Sequence, residues 1–516
     1  MSTTDCKPQV GARKCKVWYY AIFLIIFMLG GAIRLYDIKD PPLDFHLARQ
    51  LRSAVITRAA YYQMDTSLDP QLRQQAQTLA QLEVYEPPIL EQLVGFTYLV
   101  MGSEQVWLAR VWLTSFWLLG GVALFAAGRR LAAPFAVLIG IGFYFFLPFG
   151  VIASRSFQPD SWMVMWILLT TLSIWRWAET KTWKWALITG VLGGFTLIVK
   201  EVSGFYIGGM LTMVVLSSQE LRGVLRNRQV WSMAGLVLAP SIIYYLLFNG
   251  QRSADFMSFW TVSLIKMDLT SNFYADWLVM IKNTVGLTNF AGALLGVALA
   301  PRERKPLLVG AWAGYFIYGL VFPYQYTTHE YYHLPLVALT ALSLMPLLDT
   351  LITRIRRERM VWRTAAAGII LFSAFYSLWV SRSILYASDY GNEPEAWRRV
   401  GEAVPQGSKL VGLTADYGMR LRYFGWRAVS SAWPSGIDNK LFALAGSGKA
   451  DFKSEFDTLA GGMDYFLVTA FNELDAQPQL GSYLKNNYPV YRKGDGYILY
   501  DLKHPLIGKG TDGSDQ

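Results

Sequence analysis

The chain has 516 residues, of which 53% are hydrophobic and only 16% are charged, and its mean hydropathy is +0.27. Soluble chains usually carry about 25% charged residues, so this composition excludes an ordinary soluble globular protein and predicts a membrane protein. The formal net charge of +10 is explained by basic loops beside anionic lipid, and it gives no reason to expect a nucleic-acid partner.

Apolar runs that are long enough to cross a bilayer recur along the chain. Most have roughly 17 to 22 residues, near the length that a helix needs to cross about 30 Å of hydrocarbon. The first run, Val17 to Leu35, lacks a small-residue cleavage site, which predicts a retained anchor and not a signal peptide. The sequence therefore predicts about eleven transmembrane helices: 17–36, 106–127, 132–150, 160–178, 185–200, 202–217, 230–249, 284–300, 306–322, 331–351 and 361–381.

Basic loops alternate with loops that carry carboxylates and histidines. The positive-inside rule assigns loops rich in Lys and Arg to the cytoplasm, and with eleven spans all of them fall on the same side as the N-terminus. We therefore expect a multi-pass protein of the inner (plasma) membrane with a cytoplasmic N-terminus. The basic segments are Lys7 to Lys16, Arg129-Arg130, Lys181 to Lys184, Arg222 to Arg228, Arg302 to Lys305 and Arg354 to Arg363.

An odd number of spans places the C-terminal segment on the extracytoplasmic side. Strand-like runs at 409–413, 465–469 and 497–502 alternate there with amphipathic stretches, which predicts a small soluble α/β domain. Both cysteines of the chain lie in the N-terminal tail, so this domain uses no disulfide. The predicted domains are therefore a transmembrane domain at 1–382 and an extracytoplasmic domain at 383–516.

Two outer loops predict helices that lie in the membrane interface. The longer loop, 37–105, contains an amphipathic stretch from Leu47 to Tyr62, and the loop at about 250–283 carries aromatic residues of the interfacial type. Three arginines form the polar side of the first stretch: Arg49, Arg52 and Arg58.

Ionisable side chains at the ends of apolar runs are costly, so they are usually paired, solvated or functional. Asp44 suits either the N-cap of a helix that begins at Phe45 or a general base. Asp160 also suits either a cap or a site residue, and Arg155 suits a phosphate ligand or a side chain that snorkels to the interface. Lys200 has little aqueous loop around it, which favours a functional interpretation.

The order of these residues resembles that of the GT-C class of polyprenyl- or dolichyl-phosphate-sugar glycosyltransferases. Within that class it is most similar to the branch of the protein O-mannosyltransferases and lipid A aminoarabinose transferases, and the resemblance covers roughly residues 17–350. A trailing soluble domain is also usual in bacterial members. The motifs in chain order are Asp44 to Arg49, Tyr85 to Ile89, Val106 to Arg110, Gly128 to Arg130, Arg155 with Asp160, and Gly194 to Lys200.

The resemblance implies roles for residues of this chain. Asp44 would be the general base, while Phe45 stands where the family has a second acidic residue, and the motif around Pro87 lacks the family's Lys. These departures affect the family's usual contacts with the acceptor and the phosphate. The residues expected to bind the donor phosphate and the substrate are Lys200, Arg155, Asp160, Glu86, Tyr85 and His46.

The implied reaction moves a sugar from a polyprenyl-phosphate lipid to an acceptor hydroxyl in a single, inverting displacement. Asp44 would take the hydroxyl proton, and a cation would stabilise the leaving phosphate. The sequence does not decide whether that cation is a basic side chain or a divalent metal ion held by Glu86, His329 and Glu330. Nor does the sequence decide whether the acceptor is a protein, a lipid or a glycan.

Two other classes of function compete with this one. A transporter or flippase for a lipid-linked sugar predicts charges near the bilayer midplane and an internal two-fold repeat, neither of which the sequence shows. A lipid-linked glycan polymerase or ligase acts at the same face but usually relies on a large outer loop with Arg and His. No nucleotide-binding glycine motif is found, because Gly190 to Gly194 lies within an apolar run and predicts close helix packing.

Overall fold

The computed structural model describes residues 10–82, 86–249, 258–446 and 451–506. The chain divides into two compact units, and each is interleaved with the other along the sequence. The first unit comprises Met1–Asp40, Val84–Leu90 and Val106–Asp389. The second unit comprises Pro41–Glu83, Glu91–Gln105 and Tyr390–Gln516, so residues of the predicted first outer loop group with the C-terminal segment.

The first unit is helical, and the eleven predicted apolar runs all fall on its helices, with the run 132–150 divided between two of them. Shorter helical turns occur at Tyr245–Asn249, Ser258–Val262, Ile265–Leu269 and Glu330–His333. Its α-helices are Val10–Arg34, Trp107–Gly128, Pro134–Phe146, Pro148–Arg155, Asp160–Thr180, Trp183–Val199, Ser203–Ser218, Leu221–Arg226, Arg228–Tyr244, Ser271–Thr284, Leu287–Leu299, Lys305–Val321, Pro323–Thr328, Leu334–Ile355 and Met360–Ala387.

Among the described residues, five helices are long and apolar enough to cross a membrane, and up to seven if each of two bent helix pairs counts as one span. Four further helices are apolar but have 10–17 residues. The expected polytopic helical membrane fold is therefore confirmed, while the number of eleven spans stays a prediction.

One of the bent pairs shows how a buried arginine stabilises a broken helix. Pro134–Phe146 and Pro148–Arg155 meet at 55°, because Pro148 has no backbone N–H to continue the first helix. The fully buried Arg34 donates from Nη1 to the carbonyl of Phe145 at 2.9 Å and from Nε to Ser154 Oγ at 2.7 Å. Its guanidinium thus binds a backbone carbonyl beside the break, and a buried carbonyl left without a partner would be costly in lipid.

Glycines let two pairs of helices approach closely. An added Cβ at Gly194 would overlap the carbonyl oxygen of Leu236, and one at Gly190 would lie 2.7 Å from Leu236 Cβ. The predicted role of the glycines at 190–194 in close packing is confirmed. Gly209 and Gly310 meet in the same way, since a Cβ on either would overlap the other's carbonyl oxygen.

The second unit contains a five-stranded sheet with the strand order β2-β1-β3-β5-β4. The strands are β1 Leu410–Leu413, β2 Ser431–Ala432, β3 Tyr465–Val468, β4 Val490–Gly494 and β5 Tyr497–Asp501. Strand β1 is parallel to β2 and β3, whereas β5 is antiparallel to β3 and β4. The helices are Leu47–Met64, Pro70–Leu79, Ile89–Met101, Glu393–Ala403, Met419–Phe424, Gly436–Leu444, Phe452–Ala460, Phe471–Asp475 and Pro478–Asn487.

Both faces of this sheet are buried, as the alternation along β3 shows. Phe466 and Val468 join an apolar cluster on one face, while Tyr465 and Leu467 join a separate cluster on the other. Helices cover both faces, which is the usual reason for strands without an exposed polar side. The predicted α/β character of the C-terminal segment is confirmed, and the three predicted strand-like runs correspond to β1, β3 and β5.

Helix Leu47–Met64 differs from the expected interfacial helix at one arginine. Arg58 is only 6% exposed, although the sequence pattern places it on the polar side with Arg49 and Arg52. Its guanidinium donates to both carboxylate oxygens of Glu104 and to the carbonyl of Tyr423. The helical periodicity of the sequence did not predict the burial of Arg58, because both of its partners are remote in sequence.

Candidate active site

A buried ion pair joins two of the predicted site residues in the first unit. Asp160 is the first residue of its helix, and Lys200 is an extended residue between helices Trp183–Val199 and Ser203–Ser218. The Lys200 Nζ lies 2.7 Å from Asp160 Oδ1, and each side chain is 3% exposed. Asp160 does not act as an N-cap, because its helix begins at Asp160 itself. Each of these two groups is the other's partner, and a buried charge without a partner would be strongly disfavoured.

Two tyrosines complete the surroundings of Lys200. Its Nζ lies 5.1 Å from the ring centre of Tyr331 and 5.0 Å from that of Tyr332, within the range of cation–π attraction. Both tyrosines belong to the short turn Glu330–His333, so Lys200 contacts the turn that contains the predicted Glu330. The sequence interpretation missed these tyrosines, although the run Glu-Tyr-Tyr-His was a visible signal.

The histidines near this turn have different surroundings. His329 Nδ1 lies 2.7 Å from Thr328 Oγ1, and its ring lies 5.5 Å from that of Tyr331. His333 is fully buried, with Nδ1 3.1 Å from the hydroxyl of Tyr315 and Nε2 bonded to a backbone carbonyl. His333 is therefore a structural histidine, whereas His329 stays a candidate site residue.

Glu86 and Glu201 are neighbouring carboxyl groups. Glu201 lies in the turn after Lys200, outside both adjoining helices, and accepts a hydrogen bond of 2.9 Å from the hydroxyl of Tyr245. Burial raises the pKa of the Glu201 carboxyl above its usual value, and the nearby Glu86 carboxylate raises it further. Burial and a like charge nearby both disfavour the ionised form of a carboxyl group. Glu201 was not among the predicted site residues.

Two buried arginines hold the segment that leads to Asp44. Arg155 donates to the carbonyls of Tyr36 and Asp37 at 2.6 and 3.0 Å and is 1% exposed. Arg110, 2% exposed, donates to the carbonyls of Ile38 and Asp40 at 3.0 and 2.5 Å. The main chain at 36–40 is thus bound by two guanidinium groups. The phosphate contact expected of Arg155 stays a prediction.

Asp44 and His46 lie in the second unit, at the beginning of helix Leu47–Met64. The helix begins at Leu47 with His46 at the N-cap, which excludes one of the two interpretations of Asp44, that of a cap for a helix from Phe45. The side-chain amide of Gln50 donates to Asp44 Oδ1 at 3.0 Å and to the carbonyl of Phe45 at 2.8 Å. The Asp44 carboxylate is therefore held from the first turn of the helix and is not consumed in capping.

The predicted metal ligands do not form a ligand set. Within the described parts of the chain, no group of three or more His, Cys, Asp or Glu side chains is arranged to hold a metal ion. Glu86, His329 and Glu330 are therefore not arranged as a metal centre in this structure. Tyr85 lies outside the described residues.

Comparisons with known proteins agree with these features. Residues 85–245 match the family model described as dolichyl-phosphate-mannose-protein mannosyltransferase, a segment that includes Glu86, Arg155, Asp160 and Lys200. Apo ArnT from Cupriavidus metallidurans is similar over 95% of this chain and 98% of its own, with a TM-score of 0.57 at 14% identity. The chain has an ArnT-like fold of the GT-C type. The resemblance expected from the order of its motifs is thereby confirmed.

Two further solved structures share the GT-C fold. ArnT of the same organism bound to undecaprenyl phosphate matches with a TM-score of 0.55 at 15% identity, over 95% of this chain and 98% of its own. The oligosaccharyltransferase of Archaeoglobus fulgidus, in complex with Zn and sulfate, matches with a TM-score of 0.56 at 13% identity, over 92% of this chain and 73% of its own. A comparison with curated proteins finds no match. At these identities the solved structures establish the fold alone.

Proposed function

We propose that this GT-C protein transfers a monosaccharide from a polyprenyl-phosphate lipid to an acceptor hydroxyl at the outer face of the membrane. The observation that carries the proposal is the buried Lys200 ammonium, paired with Asp160 and lying within the segment that matches the mannosyltransferase family model. The structure of ArnT with undecaprenyl phosphate supports a lipid-phosphate donor for this fold.

Each role follows from the charge that develops during the reaction. The acceptor oxygen forms a bond to the anomeric carbon while the bond from that carbon to the phosphate oxygen breaks, and its electron pair goes to the phosphate. The acceptor proton goes to Asp44. Lys200 stabilises the negative charge on the departing phosphate, which is worth most where water is excluded.

A single displacement inverts the anomeric centre, so no covalent sugar intermediate forms. Glu86 and His46 are proposed to bind the sugar or the acceptor, and Arg155 keeps a proposed role beside the donor phosphate. The outer-face assignment is supported by the six basic segments, which the positive-inside rule assigns to the cytoplasm. The acceptor hydroxyl belongs to a protein, a lipid or a glycan.

The proposal is tested by transfer of a radiolabelled sugar from a series of polyprenyl-phosphate donors with purified protein in vesicles. Wild type is expected to release free polyprenyl phosphate with inversion at the labelled sugar. Asp44→Asn is expected to lose transfer by about 100-fold or more, within the usual range for a lost general base. Asp69→Asn is the matched control, because Asp69 caps helix Pro70–Leu79 and Asn caps equally well.

Three outcomes would contradict parts of the proposal. Undiminished transfer by Asp44→Asn would remove the base assignment. No transfer from any lipid-linked sugar would remove the function. Movement of intact lipid-linked sugar across the bilayer without transfer would indicate a flippase, and growth of a polymer would indicate a polymerase or ligase.

A further inference from the structure

We infer that Gln50 is a positioning residue, which holds the carboxylate of Asp44 in the orientation that proton transfer requires. The inference rests on the proposed function, in which Asp44 is the general base. Gln50 is absent from the motifs by which the sequence resembles its family. Its importance follows only from where its side chain lies.

The side-chain amide of Gln50 donates both of its hydrogens to the loop before the helix. Gln50 Nε2 lies 3.0 Å from Asp44 Oδ1 and 2.8 Å from the carbonyl oxygen of Phe45. The reverse orientation of the amide would turn its oxygen towards two acceptors, so the hydrogen-bond pattern determines which atom is the nitrogen. Gln50 therefore binds both the side chain of Asp44 and the backbone of the next residue.

The backbone between Phe45 and Gln50 has an energetically unfavourable conformation at one residue. His46 has φ 45° and ψ 60°, in the left-handed region, which a residue with a Cβ adopts at a cost on the order of 1 kcal/mol. Such a residue persists when its surroundings hold it. The contacts of Gln50 with Asp44 and Phe45 span the residues just before this turn, and its own backbone N–H donates to the carbonyl of His46 at 3.3 Å.

The helix that carries Gln50 is firmly packed. Leu51 is 0% exposed, and Ala54 and Val55 are each 1% exposed. Ser53 also donates to Glu91 at 2.7 Å. Gln50 thus extends from a rigid element to a loop, the arrangement that holds a reactive group within a fraction of an ångström.

Gln50 is 0% exposed and donates its amide hydrogens to Asp44 and to the carbonyl of Phe45, so the amide has no hydrogen left for a substrate. Its effect on the reaction must therefore pass through the residues that it holds. A displacement of about 1 Å in a reacting group can cost on the order of 100-fold in rate. The expected signature is a loss of turnover at unchanged donor binding.

The first test measures kcat and KM for the donor in Gln50→Leu. We expect kcat to fall by about 10- to 100-fold while the KM stays within about twofold, because the lost contacts hold Asp44 and the main chain of Phe45, neither of which is a proposed donor ligand. Gln63→Leu is the matched control, since Gln63 is an exposed glutamine on the same helix. Its kinetic constants should equal those of wild type.

The second test separates positioning from a general effect on folding. If Gln50 acts through Asp44, the double variant Gln50→Leu with Asp44→Asn should be no slower than Asp44→Asn alone. Independent structural damage would instead multiply the two losses. Should Gln50→Leu not fold, the same cycle is run with Gln50→Met, which has a similar unbranched side chain and cannot donate a hydrogen bond.

The outcomes distinguish this inference from the proposed function. An unchanged kcat, a rise in KM alone, or multiplied losses in the double variant would overturn the role of Gln50 while Asp44 remained the base. Undiminished transfer by Asp44→Asn, or no transfer by wild type, would overturn the proposed function and the inference with it.

Discussion

The buried cluster around Arg58 allows a test of how much a buried ion pair contributes to the stability of the second unit. The Nε of Arg58 lies 2.9 Å from Glu104 Oε2, its Nη1 donates to the carbonyl of Tyr423 at 2.6 Å, and the Tyr423 hydroxyl donates to Glu104 at 2.7 Å. The guanidinium also lies over the rings of Tyr423 and Trp426, at 4.0 and 4.4 Å. Glu104→Ala removes the only negative charge among these groups and leaves Arg58 in place.

The expected loss of stability in Glu104→Ala follows from the burial of the ion pair. Removing one partner of a buried ion pair costs about 3–5 kcal/mol, because the other charge stays desolvated. The Arg58 side chain is 8% exposed and that of Glu104 is 19% exposed, so some water can replace the carboxylate and the lower end of that range applies. At about 2–4 °C per kcal/mol for a domain of this size, we expect the unfolding midpoint to fall by about 6–12 °C.

The assay is thermal unfolding in detergent, combined with limited proteolysis that reports on the C-terminal segment. The double variant Arg58→Met with Glu104→Leu should recover most of the loss, since apolar side chains of similar volume avoid the desolvation of both charges. Glu395→Ala, which breaks an exposed pair with Arg398, is the control and should not change the midpoint measurably. A midpoint for Glu104→Ala within 1 °C of wild type would refute the argument from burial.

Three further predictions concern the first unit. Gly310→Ala should destabilise the protein, because its Cβ would overlap a backbone carbonyl of the neighbouring helix. Gly208→Ala should be neutral or stabilising, because a Cβ there meets nothing within 4 Å. The unfolding midpoints of the two variants are compared by thermal unfolding. Lys200→Met should abolish transfer and lower the unfolding midpoint, and adding Asp160→Leu should restore the midpoint but not the transfer. If Lys200 alone supplies the cation for the leaving phosphate, as proposed, addition of EDTA should leave transfer unchanged; loss of transfer that Mg²⁺ or Mn²⁺ restores would contradict this.

Much of the fold followed from local properties of the sequence. Apolar runs of span length must be helical, because lipid offers no partners for backbone N–H and C=O groups. The C-terminal strands were recognisable from short apolar runs between amphipathic stretches. The order of the motifs from Asp44 to Lys200 was sufficient to indicate the GT-C class. Asp160 and Lys200 were both among the predicted site residues, but no sequence pattern paired them.

The tertiary structure alone decided which polar groups meet. Lys200 and Asp160 are 40 residues apart, and Arg58 reaches a carbonyl 365 residues away, so no periodicity could pair them. Gln50 shows the same limit over a short distance, because its contact with Asp44 depends on the left-handed turn at His46, which the sequence pattern did not predict. A hydrophobic pattern specifies which side of a helix is buried, but the partner of a buried charge is specified by how the helices pack.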